Sequence, residues 1–193
     1  MRIYLVRHGE SEANVAGIIN DDPRRPVSLT ARGRDQARQA ARGLGAVPFT
    51  RVYASRFPRA QETAAILLES LALKGPLQID RRLDERLSGL DGLPVEAFNG
   101  LVRPDPVHIS PEHGESFLGV MARMGAFLDA LGRSGPADTI LAVSHENPIL
   151  AARALAGCET EQAVRGSVGH CEIAMLDWVS ELSLTQSIKN FEP

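Results

Sequence analysis

The sequence predicts an α/β fold, a three-layer α/β/α sandwich around a mainly parallel sheet. Three observations predict it. Short apolar runs rich in β-formers alternate with longer segments of helical period. The runs at 2–6 and 139–144 are nearly all apolar, as strands covered on both faces are. The chain has 193 residues, 44% of them hydrophobic and 23% charged, which fits one domain (1–193) with a sizeable core.

The elements follow in order. Strands are expected near 2–6 (Arg2-Ile3-Tyr4-Leu5-Val6), 51–54, 77–80, 139–144 (Thr139-Ile140-Leu141-Ala142-Val143-Ser144) and 172–178. A helix over 30–44 opens on Thr30 as N-cap, carries Ala37, Ala40, Ala41 and Leu44 on one face, and meets Gly45. A second, over 58–71, starts with Pro58, suited to a first turn, and aligns Ala60, Ala64, Leu67, Leu68 and Leu71. A third, over 115–131, carries a stripe from Phe117 and Val120 to Leu128 and Leu131. Pro148 sits in the first turn of a helix reaching about Ala156. Strand–helix alternation implies right-handed crossovers, with helices on both faces of the sheet. The stretch 86–114 is rich in Gly and Pro and has no long period, so it reads as an irregular lobe over one end of the sheet.

Composition narrows the function. The net charge is −3, from 21 basic and 24 acidic residues, which argues against a dedicated nucleic-acid partner. No segment has the form of a secretory signal or the apolar length of a membrane span, so no membrane partner is expected and the cytoplasm is the expected location. Cys158 and Cys171 make neither a disulfide framework nor a zinc pattern and read as structural thiols. Oligomeric state is open at this level.

Open α/β sheets bind ligands beyond the carboxyl ends of their strands. After Leu5-Val6 come Arg7-His8-Gly9-Glu10; after 51–54 comes Arg59; after Val143-Ser144 comes His145. Two histidines and two arginines therefore leave parallel strands on one edge, a cationic pocket in an acidic chain, which points to an anionic ligand. The guanidinium forks of Arg7 and Arg59 suit phosphate oxygens. Gly9 permits a tight turn after His8. Asn14 offers an amide donor, and a helix starting after His145 aims backbone N–H groups at an anion. Singly, each residue has a bland reading, as a packed histidine, a solvated arginine or a first-turn acid (Glu10). At equivalent ends of successive strands those readings lose ground.

These residues carry a resemblance. Leu5-Val6-Arg7-His8-Gly9-Glu10-Ser11-Glu12-Ala13-Asn14 resembles the signature of the histidine phosphatase superfamily, the phosphoglycerate mutase-like proteins. Leu29-Thr30-Ala31-Arg32-Gly33, Ser55-Arg56-Phe57-Pro58-Arg59, Leu83-Asp84-Glu85-Arg86, Gly114-Glu115-Ser116 and Val143-Ser144-His145 resemble further blocks of that family, in its order. The resemblance spans roughly 3–147. It implies a doubly wound sheet, no metal, no organic cofactor and a phosphohistidine intermediate. It makes His8 the nucleophile, Arg7, Asn14, Arg59 and His145 the phosphate cradle, and Glu85 the general acid/base, with a small phosphorylated metabolite as the expected partner.

Those roles suit the chemistry. An imidazole attacks only through a neutral nitrogen while the other is held as N–H. Arginines and a histidine disperse charge on the equatorial oxygens. His145 is expected to be protonated, with a dianionic ligand favouring that state. One carboxyl protonates the leaving oxygen and then deprotonates the attacking water. The bland reading of Glu85 is a surface acid paired with Arg81, Arg82 or Arg86, and Asp84 is the rival acid.

Departures from the family pattern cluster where a leaving group would lie. Glu146 follows His145, and its carboxylate is expected to repel a second anionic group or bind a cationic one, so it is a candidate substrate-binding residue. His170-Cys171 precede the last strand, with His170 either packing or lining the pocket. His108 and His113 are expected to be solvated. A phosphomonoesterase is the leading reading. A phosphoglycerate mutase is disfavoured because 86–114 holds only Arg86 and Arg103 as bases. A non-catalytic phospho-ligand-binding module and a protein phosphohistidine phosphatase are the remaining alternatives.

Overall fold

The computed structural model describes residues 1–179. Five strands form one sheet: β1 (Arg2–Arg7), β2 (Arg51–Ala54), β3 (Leu77–Ile79), β4 (Thr139–Ser144) and β5 (Ile173–Asp177), in the order β3-β2-β4-β1-β5. All neighbours pair parallel except β1 and β5, which run antiparallel. The fold is the doubly wound, mainly parallel α/β architecture that the sequence predicts.

Side chains alternate across β4 between two cores. Ile140 and Ala142 pack with Ile3, Leu5 and Tyr53 on one face; Leu141 and Val143 pack with Val6, Val52 and Ala54 on the other. Helices cover both faces. The first core takes α5 (Phe117–Ser134) and α6 (Glu146–Leu155); the second takes α2 (Ala31–Leu44) and α3 (Pro58–Ser70). A strand apolar on both faces is stable only between two such layers.

The caps explain the helix ends. Thr30 accepts a hydrogen bond from Gly33 N at 3.0 Å and starts α2, and Gly45 ends it with positive φ. Pro58 occupies the first turn of α3. α5 starts at Phe117 rather than 115, because Ser116 is the N-cap and accepts from Gly119 N. It also runs on to Ser134, past the expected end. Two short helices, α1 (Glu12–Ala16) and α7 (Thr160–Val164), complete the sheet layer's surroundings. Among the described residues no helix is long and apolar enough to cross a membrane.

The 86–114 stretch is less irregular than expected. It contains α4 (Val95–Val102), which begins after Pro94 and places Val95, Phe98 and Val102 at helical spacing. Eight residues with a glycine at 100 carry too little period to stand out in sequence. Arg86 pins this lobe: its Nε, Nη1 and Nη2 donate to the carbonyls of Glu115, Pro106 and Ile109 at 3.0, 3.1 and 2.8 Å. His108 and His113 are exposed, as expected, with His108 beside Asp105. Cys158 and Cys171 are both free, and burial pushes the Cys171 thiol up to about 12, the state of an inert packing group.

Candidate active site

The sheet order places β2, β4 and β1 side by side, so their carboxyl ends meet at one edge. The ladder continues past two of them. His8 N donates to Ser144 O at 3.0 Å and Ser55 N donates to Val143 O at 3.1 Å. The backbones that carry His8, Ser55 and His145 are thus fixed by strand pairing rather than by loops. Gly9 lies against Gly33 so closely that a Cβ on either residue would strike the other segment's backbone. That contact seats the turn after His8 on the start of α2 and explains a glycine in each block.

His8 is buried, and its Nδ1 lies 2.7 Å from the carbonyl of Gly9. A carbonyl only accepts, so Nδ1 carries the proton and Nε2 is a lone-pair nitrogen. Arg59 Nε donates to that Nε2 at 3.1 Å. Burial and the neighbouring Arg59 hold His8 well below the ordinary imidazole range, against the opposing effect of the Gly9 carbonyl. The ring is neutral at neutral pH.

His145 is fully buried. Its Nε2 lies 2.7 Å from Ser55 Oγ, and Arg59 Nη2 lies 3.3 Å from its Nδ1. A guanidinium only donates, so Nδ1 accepts and Nε2–H points to Ser55. Burial, then Arg59 and His8, hold His145 well below the usual range. The expectation of a protonated His145 is therefore corrected for the protein alone: the ring is neutral, reached by Arg59 and not part of the cavity lining. A phosphate dianion in contact with Arg59 favours proton uptake by this ring.

Arg59 itself is buried, and burial brings it down to about 10, so it remains a cation at neutral pH. Asn20 holds it, with Oδ1 accepting from Nη1 at 2.5 Å and the carbonyl accepting from Nη2 at 3.3 Å. Arg7 donates through Nη1 to the Val168 carbonyl and to Glu146 Oε1, the latter at 3.3 Å. Glu146 Oε1 also accepts from Val168 N at 3.0 Å. The Glu146 carboxylate, read from sequence as a group facing substrate, lines the cavity but is engaged in aiming Arg7.

One cavity of about 170 Å³ collects the predicted residues: Arg7, His8, Asn14, Arg59, Glu85 and Glu146 all line it. Asn14 accepts through Oδ1 from Ser11 N and Ser11 Oγ at 2.9 and 2.8 Å, in a capping box that starts α1. Its amide nitrogen makes no hydrogen bond among the described residues. Glu85 is not paired with a neighbouring arginine side chain. Its Oε1 accepts from Arg86 N and Asn147 N at 2.8 and 3.2 Å, which leaves Oε2 without a hydrogen bond among the described residues. The rival Asp84 is committed elsewhere, accepting from Arg56 N and Nε at 2.9 and 2.7 Å. Among the described residues no cluster of His, Cys, Asp and Glu has metal-binding geometry.

The model of the histidine phosphatase superfamily (branch 1) matches residues 3–189. The chain belongs to that superfamily. Among its relatives, the adenosylcobalamin/alpha-ribazole phosphatase of Escherichia coli K12 is 34% identical over 154 residues, 76% of this chain and 74% of that one. A 2,3-bisphosphoglycerate-dependent phosphoglycerate mutase of Azorhizobium caulinodans is 36% identical over 63% of this chain and 64% of its own. The crystal structure of a putative alpha-ribazole-5′-P phosphatase from E. coli superposes with a TM-score of 0.76 at 30% identity, covering 91% of this chain and 89% of that one. This histidine phosphatase is a phosphoric monoester hydrolase.

Some neighbours of the site carry no local signal in sequence. Asn20 lies in an Asn-Asp-Asp-Pro turn, and only the fold brings it to Arg59. Ser55 and Asn147 are polar residues at a strand end and a helix start, as many structural residues are. His170 lies 5.9 Å from His8 between ring centres, half-buried and outside the cavity lining, and its Nε2 is buried without a hydrogen-bond partner among the described residues.

The two buried histidines make stability depend on pH. Their folded values lie below the ordinary 6.5, so below about that pH the unfolded chain binds protons that the folded chain refuses. Stability contributed this way is intact above 6.5 and is lost as pH falls. Each imidazole adds a slope of up to about 1.4 kcal/mol per pH unit. Urea unfolding between about pH 7 and pH 5 is expected to show a shallower acid loss in His145→Gln than in the parent. Parallel slopes would show that His145 is not held neutral.

Proposed function

We propose that this chain is a metal-independent phosphomonoesterase that hydrolyses a small phosphorylated metabolite through a phosphohistidine at His8 Nε2. The observation that carries the proposal is the tautomer of His8. The Gly9 carbonyl holds the proton on Nδ1, so Nε2 keeps its lone pair, which accepts from Arg59 Nε on a residue that lines the cavity.

In the first half-reaction Nε2 attacks phosphorus and the P–O bond to the alcohol breaks in line with it. Arg7 and Arg59 offset charge on the three equatorial oxygens and Asn14 donates its amide, with His145 buried behind Arg59. Glu85 delivers its proton to the departing oxygen. In the second half-reaction Glu85 takes a proton from water, the hydroxide attacks phosphorus, and the P–N bond returns its electron pair to Nε2. Two arginines supply the charge that phosphoryl transfer needs, which is why the reading requires no metal.

Two observations favour hydrolysis of a small molecule over the alternatives. Arg86, the one lobe arginine on the cavity, is buried and clamped to three carbonyls, which leaves the lobe poor in cations for a second phosphate. Ile18, Ile19, Val95 and Phe98 wall the cavity on the lobe side, which suits a small substrate better than a protein surface. The relative named for alpha-ribazole makes that phosphate a first compound to assay.

The test is phosphate release across a panel of phosphorylated metabolites with EDTA present, with 3-phosphoglycerate mutase activity followed in parallel. Release from a few compounds, unaffected by EDTA, is expected. Activity abolished by EDTA, or mutase activity exceeding hydrolysis, would overturn the proposal.

A further inference from the structure

Three hydrogen bonds run in series behind the nucleophile, all in one direction. Arg59 Nε donates to His8 Nε2 at 3.1 Å, His8 Nδ1 donates to the Gly9 carbonyl at 2.7 Å, and Glu10 N donates to Gln36 Oε1 at 2.9 Å. Gly9 O and Glu10 N belong to one peptide group. That peptide is trans, so its C=O and N–H point to opposite sides. Whatever holds the N–H therefore aims the carbonyl.

Gly9 makes such a hold necessary. Glycine has no Cβ to restrict the peptide that follows it, and half a turn of that peptide exchanges C=O for N–H at little cost. A flipped peptide would present Glu10 N–H to His8 Nδ1. Nδ1 would then have to accept, the ring proton would move to Nε2, and Nε2 would meet the Arg59 donor without a lone pair. The groups on either side are pinned separately. Gly9 N donates to Thr63 Oγ1 at 3.1 Å, and that hydroxyl gives its own proton to Arg59 O at 2.8 Å. Thr30 N donates to Glu10 O at 2.9 Å. The Gly9–Glu10 peptide between them rests on Gln36. This residue is half-buried in α2, three positions after Gly33, so it lies on the helix face that seats the turn after His8.

We propose that Gln36 is a positioning residue for the nucleophile: its amide oxygen ends the chain that begins at Arg59 and holds the Gly9–Glu10 peptide in the orientation that keeps the His8 proton on Nδ1. Arg59 can only donate, which sets the order of the chain at one end, and Gln36 sets it at the other. Gln36 does not line the cavity, so it acts on substrate only through His8. Its effect on turnover rests on the phosphomonoesterase reading; its effect on the tautomer does not.

The experiment compares the parent with Gln36→Met, which keeps length and helix propensity but offers only a weak thioether acceptor, and with Gln36→Glu, which still accepts. Nitrogen-15 shifts of histidine-labelled protein report the tautomer, the His8 pair being identified by its loss in His8→Ala. The parent and Gln36→Glu are expected to show a protonated Nδ1 and an unprotonated Nε2. Gln36→Met is expected to move both nitrogens towards the average of the two tautomers. Its kcat/KM is expected to fall by about 10–10²-fold, the scale for a lost outer-shell partner, while it still binds inorganic phosphate by calorimetry. Should Gln36→Met fail that check of folding, Gln36→Ser, too short to reach Glu10 N, is read in the same way. Parent-like His8 shifts in the variant without the acceptor would overturn the proposal whatever its activity. So would Gln36→Glu moving the nitrogens as far as Gln36→Met does. If the parent hydrolyses no ester while the shifts change as expected, the phosphatase reading fails and the role of Gln36 stands.

Discussion

His8→Ala is expected to lower turnover by about 10⁴-fold or more, the scale seen when a catalytic nucleophile is removed. The argument starts from the backbone. His8 N is tied to Ser144 O and the Gly9 carbonyl holds Nδ1, so the ring has one orientation and one tautomer. No other imidazole lines the cavity, since His145 and His170 are not part of its lining. Removing the imidazole leaves Arg7 and Arg59 in place, so the variant is expected to keep binding inorganic phosphate by calorimetry. That second reading guards against a misfolded variant. Retained turnover with retained binding would mean that water, not His8, attacks phosphorus.

Glu85→Gln is expected to slow poor leaving groups by about 10²–10⁴-fold, the range for a lost general acid. Glutamine keeps the shape and can still accept from Asn147 N and Arg86 N through its carbonyl, so the loop should hold. It has no proton to give. An alkyl phosphate, which leaves as a strongly basic alkoxide, should lose most. p-Nitrophenyl phosphate, which leaves as a stable phenolate, should lose far less in the first half-reaction. The ratio of the two losses in kcat/KM is the readout, because kcat/KM reports the first half-reaction and not the shared second one, which also uses Glu85. Equal losses would assign Glu85 to positioning Asn147 and the start of α6, with the proton coming from elsewhere.

The fold was legible where periodicity was long or burial two-sided. The strands at 2–6 and 139–144 are read within a residue because Ile3 to Val6 and Ile140 to Val143 each face one of two cores. Thr30 and Gly45 mark α2 because a side-chain cap and a left-handed residue are local requirements. α4 and α7, of eight and five residues, give no comparable signal; their stability comes from packing against the rest of the chain. The site was legible as far as strand ends show it. Arg7, His8 and Arg59 follow from their places in the α/β order. The roles of Glu85 and Asn14 came with the family blocks.

What sequence did not show are partnerships between distant positions. Glu146 faces Arg7 across 139 residues, Asn20 faces Arg59 across 39, and Ser55 faces His145 across 90. Each depends on strand order. The neutral state of His145 likewise follows from its depth, which the Val-Ser-His block does not encode. Arg86 illustrates the same point: sequence counts it as one of two lobe bases and a possible partner of Glu85, and the structure makes it the lobe's internal clamp.

The central claim is that the phosphoryl group rests on the protein before it reaches water. The steric course at phosphorus tests this directly and does not depend on how long the intermediate lives. A phosphorothioate ester made chiral at phosphorus with two oxygen isotopes is hydrolysed in water carrying the third, and the configuration of the released thiophosphate is determined. Two in-line displacements, onto His8 and then onto water, predict net retention. Net inversion would mean a single displacement by water and would contradict the account.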